Sequence, residues 1–232
     1  MTASKHKKRR ILVVAAHPDD EVLGCGGTMA RFAKEGAEIY TLMMGEGVTA
    51  RDEKRNRDLR KKELDELKRQ AISANKILGV KKVFFHNFPD NRFDSVDLLD
   101  IIKGIEEVKR KIAPQIVFTQ HEKDLNIDHQ ILYKAVLAAT RPLIGETVKE
   151  IYSFEALSST EWSYPLNFSP DVYFDITDTL DLKIKAMAVY KSELKDFSHP
   201  RSLESIKLNA RYWGIRIGQQ YSEVFKTVRV IR

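Results

Sequence analysis

Several features that define common protein classes are scarce or absent in this sequence. There is one cysteine, Cys25, which excludes an internal disulfide and favours a reducing compartment. No apolar run approaches the roughly 18 residues of a membrane-spanning helix. The basic start of the chain is not followed by the apolar core of a signal peptide. These absences predict a soluble, cytoplasmic protein with no membrane span.

A large excess of charge of one sign is also lacking. The 232 residues include 39 Lys and Arg against 33 Asp and Glu, a net charge of +6, and the two signs are mixed. This mixing argues against nucleic acid as a partner. The apolar share of 43% is enough for one sizeable core. We therefore expect one domain over residues 1–232, with the basic residues 1–9 as a flexible tail.

Short apolar runs alternate with longer stretches of helical periodicity, which is typical of an α/β fold with a mostly parallel sheet. The run at 11–16 is apolar throughout, as expected for a central strand buried on both faces. The last helices are expected at 180–194 and 203–218, with late strands that extend the sheet near the C-terminus. The predicted strands are 11–16, 37–44, 82–85, 115–119, 150–155, 172–176 and 225–231.

The first predicted strand is followed at once by His17-Pro18-Asp19-Asp20-Glu21. Three carboxylates and an imidazole in so short a segment repel one another unless a cation compensates them. A turn stiffened by proline can aim the side chains of His17 and Asp20 at one point, which suits a divalent metal. The structural alternative is a set of acidic residues at a helix N-terminus, which the helix dipole favours.

A second polar loop, at 124–129, follows the fourth predicted strand and ends in Asp128-His129. Ligands of open α/β sheets bind beyond the carboxyl ends of the strands, so His129 is expected to join His17 and Asp20. Two imidazoles and one carboxylate leave an open position on a tetrahedral ion, as in catalytic zinc sites, and also suit Fe²⁺. A helix cap is the alternative for this loop.

The first motif, the glycine-rich segment 24–27 and Asp128-His129 together resemble the LmbE-like (PIG-L-like) family of zinc-dependent N-deacetylases. The resemblance implies a Rossmann-like three-layer sandwich. It implies removal of an acetyl group from an N-acetylated amino sugar or sugar conjugate, a small-molecule substrate. It also implies that His17, Asp20 and His129 bind Zn²⁺, with Fe²⁺ or another divalent ion as alternatives. Relatives often form oligomers, so a homo-oligomer stays open.

The resemblance further implies that Asp19 is the general base toward a metal-activated water. One position departs from the family pattern, because Asn126 stands where relatives commonly carry a histidine that stabilises the oxyanion. An amide can donate a hydrogen bond there but cannot titrate, so a metal-binding protein without deacetylase activity stays open. Glu21 and Asp128 are expected beside the ligands, Asp128 as the residue that orients an imidazole.

Four polar residues are candidates for substrate binding: Glu46, Arg51, Asp90 and His121. Glu46 and Asp90 match positions that face the pocket in relatives, and the planar fork of Arg51 suits a phosphate or carboxylate. His121 could replace the missing histidine, although a surface-loop histidine is the favoured interpretation. A nucleotide- or nucleic-acid-binding α/β module is the remaining alternative function. The sequence predicts no role for the chain after about Trp162.

Overall fold

The computed structural model describes residues 8–232, so most of the predicted basic tail at 1–9 lies outside the described residues. Within them, seven strands form one sheet and six helices pack on it. The strands are β1 Arg10–Ala15, β2 Glu38–Gly45, β3 Lys82–Phe88, β4 Ile116–Gln120, β5 Glu150–Phe154, β6 Val172–Asp175 and β7 Ser222–Val230. The helices are α1 Asp20–Lys34, α2 Lys61–Ile77, α3 Leu98–Ile112, α4 Ile127–Ala139, α5 Leu180–Met187 and α6 Leu203–Ile215.

The sheet order is β3-β2-β1-β4-β5-β7-β6, and the first five strands pair in parallel. β7 runs antiparallel to both of its neighbours, β5 and β6. This confirms the predicted α/β fold with a mostly parallel sheet and a C-terminal elaboration. The chain moves outward in opposite directions from β1 and β4, so a crevice opens between the carboxyl ends of these two strands.

Both faces of the sheet are covered, which confirms the three-layer architecture. Alternate residues of a strand face opposite sides, and the residues of β1 divide in this way. Ile11 and Val13 belong to a core shared with α1, α2 and α5, whereas Leu12 and Val14 belong to a core shared with α3 and α4. All four side chains are buried, as expected for the centre of a parallel sheet.

The glycines of α1 let this helix lie very close to its neighbours. A Cβ atom at Gly24 would stand 2.1 Å from the ring of Phe154, and one at Gly27 would stand 2.8 Å from Ile176. Both distances are far below van der Waals contact. The glycine-rich segment therefore allows α1 to pack closely against the end of the sheet.

α1 is kinked, because Cys25 has non-helical backbone angles (φ −145°, ψ 22°). The kink exposes backbone groups in the middle of the helix, and two buried charged side chains satisfy them. The Glu223 carboxylate accepts hydrogen bonds from the amides of Gly27 (2.9 Å) and Thr28 (2.6 Å). Lys183 Nζ donates to Glu223 (2.6 Å) and to a carbonyl that precedes the kink. The pair stabilises a bend that the helix alone would not keep.

The prediction of a helix over 180–194 is wrong beyond Met187, where α5 ends. Residues 188–202 instead form turns and loop before α6 begins. Within this segment Tyr190 is fully buried, and its hydroxyl donates to Glu21 at 2.6 Å. This contact between residues that are far apart in the sequence thus overrides the local helical periodicity.

No helix in the described part of the chain has the length and apolar character that crossing a membrane requires. The assignment of residues 1–232 to one domain stays a prediction.

Candidate metal centre

The turn between β1 and α1 has an unusual backbone that brings its polar side chains together. Asp19 adopts a φ of 115°, in the left-handed region that non-glycine residues rarely occupy. Its amide donates to Glu21 Oε2 at 3.0 Å, and its carbonyl accepts from the amide of Val22 at 3.0 Å as α1 begins. Glu21 is fully buried and also accepts from Tyr190 and from Asn75. Burial raises the pKa of Glu21 to about 7 against the effect of these hydrogen bonds.

The three residues predicted as metal ligands lie together at the carboxyl ends of β1 and β4. His17, Asp20 and His129 each offer one ligand atom, and these atoms lie within 4.8 Å of one another. Asp20 Oδ2 is 3.5 Å from His17 Nδ1 and 3.3 Å from His129 Nε2. The same oxygen accepts from the side-chain amide of Gln120 at 2.9 Å. Two imidazoles and one carboxylate therefore face one point.

A carboxylate lies against the far side of each imidazole. His17 Nε2 is 2.9 Å from Asp128 Oδ2, and His129 Nδ1 is 3.1 Å from Asp124 Oδ1, although the second contact lacks hydrogen-bond alignment. A carboxylate at one ring nitrogen fixes the orientation of the ring and leaves the other nitrogen for a metal. This is the position expected for Asp128, whereas Asp124 did not stand out in the sequence.

A second set of side chains, His17, Asp90 and Asp128, also meets the distance condition for a metal site. Both of its carboxylates are already held by the backbone. Asp128 Oδ1 accepts from the amide of Phe93 at 2.8 Å, and Asp90 Oδ2 accepts from the amide of Ala50 at 3.0 Å. These contacts favour a role of the two carboxylates in orienting His17 over the binding of a second ion.

The electrostatics of the first set favour a cation. Burial opposes the charged form of His129, yet the carboxylates of Asp20 and Asp124 raise its pKa to about 9. Burial would also raise the pKa of Asp20, but His129 and His17 hold it well below its usual value. The pKa of His17 is raised by Asp128 and Asp20 despite burial. The carboxylates thus favour positive charge at the two imidazole rings. A divalent ion bound there would provide that charge.

The donor set also fits a divalent ion in its chemistry. Both ring nitrogens of His129 are buried and have no hydrogen-bond partner, which is costly for a polar atom that binds nothing. Two nitrogen donors and one carboxylate oxygen are a common set for catalytic Zn²⁺ and also suit Fe²⁺. The residues present therefore fit the metal that the family resemblance implies.

Asp19 lies beside this set and is not part of it. Its side chain is buried, and burial together with the charge of Asp20 raises the pKa of its carboxyl group. Arg201 opposes this rise, because its Nη1 atom lies 3.3 Å from Asp19 Oδ2. A carboxylate with a raised pKa accepts a proton from water more readily than an ordinary one.

A cavity of about 590 Å³ opens over the candidate metal centre, within the range of small-molecule sites. His17, Asp19, Asp20 and His129 lie along its wall. The remaining wall includes residues from the loops after β2, β3, β4 and β5 and from the segment 188–202. The cavity therefore occupies the crevice where the sheet order reverses.

Asn126 lines the cavity, but its amide is partly engaged. It caps the N-terminus of α4, where its Oδ1 accepts from the amide of Asp128 at 2.9 Å. Its Nδ2 donates to Asn91 Oδ1 at 2.7 Å. Since Nδ2 carries two hydrogens, one donor stays available to a ligand.

The four predicted substrate-binding residues divide into two pairs. Arg51 and Asp90 line the cavity, whereas Glu46 and His121 do not. The buried carboxylate of Glu46 instead pairs with Arg55 at 2.7 Å and with a second arginine from the same loop.

His121 is buried, so the favoured interpretation of it as a surface histidine is wrong. Its Nε2 lies 2.8 Å from Asn167 Oδ1, and its ring packs edge-on against Phe168. Burial lowers the pKa of its imidazole. These contacts tie the loop after β4 to the segment that precedes β6.

Sequence reasoning missed the part of the wall that the segment 188–202 provides. Glu193, Lys195 and Arg201 all line the cavity. The only signal was the short polar group His199-Pro200-Arg201, and polar groups are common in loops. No local pattern connects this segment with the β1–α1 turn, because Arg201 and Asp19 are 182 residues apart in the sequence.

The model of the family PIG-L, described as GlcNAc-PI de-N-acetylase, matches residues 12–140, which contain both polar motifs. The uncharacterized deacetylase YaiS of Escherichia coli is 31% identical over 198 residues, which cover 83% of this chain and 96% of that protein. The diacetylchitobiose deacetylase of Thermococcus kodakarensis is 25% identical over 95% of this chain and 83% of that protein. The crystal structure of the conserved protein TT1542 from Thermus thermophilus superimposes with a TM-score of 0.76 at 27% identity, covering 96% of both chains.

Proposed function

The chain belongs to the PIG-L (GlcNAc-PI de-N-acetylase) family, and on this basis we propose that it is a zinc-dependent N-deacetylase. Its substrate would be an N-acetylated amino sugar or sugar conjugate. The observation that carries the proposal is the convergence of His17, Asp20 and His129 beside Asp19 in one cavity. The relatives named as deacetylases, one of them a diacetylchitobiose deacetylase, support the substrate class.

His17, Asp20 and His129 would hold the ion. A divalent ion bound there lowers the pKa of water and polarises the carbonyl of an amide. Asp19 takes the proton of the attacking water and then passes it to the nitrogen of the leaving amine. Arg201, 3.3 Å from Asp19, holds this carboxylate at the cavity wall.

Two further groups complete the proposed site. Asp128 fixes the ring of His17 through its 2.9 Å contact with Nε2, so that the other ring nitrogen is presented to the ion. The free N–H of the Asn126 amide can donate to the carbonyl oxygen as negative charge develops on it. Because an amide does not titrate, Asn126 stabilises charge without moving a proton.

An acetate-release assay tests the proposal. The purified protein is incubated with N-acetylhexosamines, their disaccharides and their nucleotide or lipid conjugates, before and after chelation. We expect acetate and a free amine from at least one substrate class, loss of activity after chelation, and recovery on addition of Zn²⁺. Turnover that persists after complete removal of metal would contradict the proposal.

A second candidate function is that of a metal-binding protein that hydrolyses no amide. It is favoured by Asn126 alone, since the family resemblance implies a titratable histidine at this position. Such a protein would bind Zn²⁺ at the same three residues and release no acetate from any member of the substrate panel.

A further inference from the structure

The outer wall of the cavity carries a group of charged side chains, of which the proposed reaction uses only Arg201, as the partner of Asp19. Three cationic residues, Arg51, Lys195 and Arg201, line this wall together with the acidic residue Glu193. Arg51 follows β2, whereas the other three belong to the segment 188–202. Two distant parts of the chain therefore meet across the cavity mouth through opposite charges.

Glu193 joins the two arginines. Its Oε1 accepts from Arg51 Nη2 at 2.8 Å, and its Oε2 lies 3.5 Å from Arg201 Nη1. The hydroxyl of Ser192 also donates to Oε1, at 2.9 Å. The Glu193 side chain is only 13% exposed, so this carboxylate sits within the wall and not in free solvent.

The arginines keep donors that these contacts do not satisfy. Arg201 Nε is buried and has no hydrogen-bond partner, and the contacts of its Nη1 with Asp19 and Glu193 are long, at 3.3 and 3.5 Å. A guanidinium presents a planar fork that matches a carboxylate or a phosphate. Without Glu193, the guanidinium groups of Arg51 and Arg201 would both face the position that its carboxylate now occupies at the cavity mouth.

We propose that Glu193 is a specificity-determining residue, an internal carboxylate that occupies the anion position between Arg51 and Arg201 and so selects substrates whose outer part is uncharged. This inference rests on the proposed function and narrows its substrate class to neutral N-acetylated sugars and glycosides. An incoming phosphate or carboxylate meets the negative charge of Glu193 at short range, and like charges in contact repel one another.

The first experiment compares two substrates that differ only in charge, an N-acetylhexosamine and the same sugar bearing a phosphate. The measured quantity is the ratio of kcat/KM for the phosphorylated sugar to that for the neutral sugar, on the metal-loaded protein. Glu193→Gln keeps the shape of the side chain and removes its charge, so we expect this ratio to rise by about tenfold or more. Glu193→Ala should change it in the same direction.

Glu35→Gln is the matched control. Glu35 directly follows α1 and pairs with Arg31 at 2.9 Å on the surface, so this variant also removes a carboxylate from an arginine, but outside the cavity lining. Its ratio should equal that of the wild-type protein. A ratio that Glu193→Gln and Glu193→Ala leave unchanged would overturn the proposal.

A binding measurement separates this inference from the proposed function. Calorimetric titration with inorganic phosphate is carried out on the wild-type protein, Glu193→Gln, and the double variant Glu193→Gln/Arg51→Met. We expect phosphate to bind Glu193→Gln about tenfold or more tightly than wild type, with the gain lost in the double variant. Phosphate bound directly to a metal would contribute equally to all three proteins.

The outcomes are distinct. If no substrate releases acetate but Glu193→Gln gains phosphate affinity, the proposed function fails while the role of Glu193 as the internal anion stands. If acetate is released but phosphate affinity is the same in wild type and Glu193→Gln, the role of Glu193 is wrong while the proposed function stands.

Discussion

At the scale of single residues, Asp19 differs from its neighbour Asp20 in its environment and in the role that we propose for it. Asp20 faces two imidazoles, which keep it ionised, whereas Asp19 faces Arg201 and lies outside the set of ligand atoms. The left-handed backbone at Asp19 is held by its hydrogen bond to Glu21. The two adjacent carboxylates thus have separate surroundings, as the proposed roles of Asp20 as a metal ligand and Asp19 as the general base require.

Replacement of Asp19 by Asn should separate catalysis from metal binding. Asn tolerates a positive φ and keeps the shape of the side chain, so the turn should be retained. We expect kcat for acetate release to fall by about 10²- to 10⁴-fold, the usual range for a lost general base. The metal content, measured by elemental analysis, should equal that of the wild-type protein.

His129→Ala is the counterpart of this variant, since it removes a ligand and should lose the metal together with the activity. If Asp19→Asn retained wild-type turnover, Asp19 would not be the base.

Asp128 is expected to act on metal affinity through His17. In Asp128→Asn, the new side-chain amide meets His17 Nε2 with an oxygen or a nitrogen, and it no longer carries the charge that favours a proton on that nitrogen. We expect the affinity for Zn²⁺ to fall by about 10- to 100-fold, as is typical for such partners of metal ligands. Competition with a chromophoric chelator measures this change, and the exposed residue Asp100 provides a control as Asp100→Asn. Equal Zn²⁺ affinity in the two variants would show that Asp128 does not orient the ligand.

At the scale of elements, the kink of α1 joins the site to the C-terminal part of the sheet. Lys183 in α5 and Glu223 in β7 form a buried ion pair, with side chains 6% and 4% exposed. Lys183 Nζ also donates to the carbonyl of Leu23 at 2.7 Å, before the kink. Three elements therefore meet at one charged pair, and the first half of α1 that carries Asp20 depends on it.

Lys183→Met should destabilise the fold strongly, because it leaves the Glu223 carboxylate buried without its cation. We expect the free energy of unfolding in urea to fall by about 3–5 kcal/mol. Lys226→Met is the matched control, since Lys226 pairs with Asp171 at 2.7 Å but both side chains are more than 40% exposed. This control should lose only about 0–1 kcal/mol. Comparable losses of unfolding free energy in the two variants would show that the buried pair does not stabilise the kink of α1.

The contact between β5 and α6 predicts a pH effect on stability. Glu155 directly follows β5, and burial raises the pKa of its carboxyl group above the usual 4.5, although Asn209 and Trp213 of α6 donate to its Oε1. The folded chain therefore binds this proton more tightly than the unfolded chain does. The free energy of unfolding should fall as the pH rises from about 4.5 through the raised pKa.

Glu155→Gln keeps the acceptor oxygen and removes the charge, so it should abolish this contribution. Thermal unfolding of both proteins between about pH 4.5 and pH 8 measures it. We expect the Tm of the variant, relative to that of the wild type, to increase as the pH rises. Two curves that stay parallel would mean that Glu155 does not titrate in this range.

At the scale of the whole molecule, the fold and the centre of the site follow from local sequence signals. The apolar run of β1 and the alternation of strands and helices predict the parallel α/β sheet. The residues of the candidate metal centre come from the segments that follow β1 and β4, where the strands of an open sheet present ligands. Short spacing along the chain and a shared sheet edge are sufficient to bring His17, Asp20 and His129 together.

The rest depends on contacts that leave no local pattern. The insertion of β7 between β5 and β6 pairs strands with no turn between them, and the segment 188–202 leaves its helical periodicity for a buried contact of Tyr190. The pairing of Glu193 with Arg51 spans 142 residues. The part of the cavity wall that contains this pair was therefore not predictable from composition or spacing. The cytoplasmic location and the homo-oligomeric state stay predictions.

We propose above all that three residues from two distant segments of the chain hold one divalent ion beside Asp19. Anomalous diffraction from a zinc-loaded crystal tests it most directly. We expect one peak per chain, at about 2.0–2.2 Å from a nitrogen of His17, a nitrogen of His129 and an oxygen of Asp20. No peak there, or a peak between His17, Asp90 and Asp128 instead, would contradict the account.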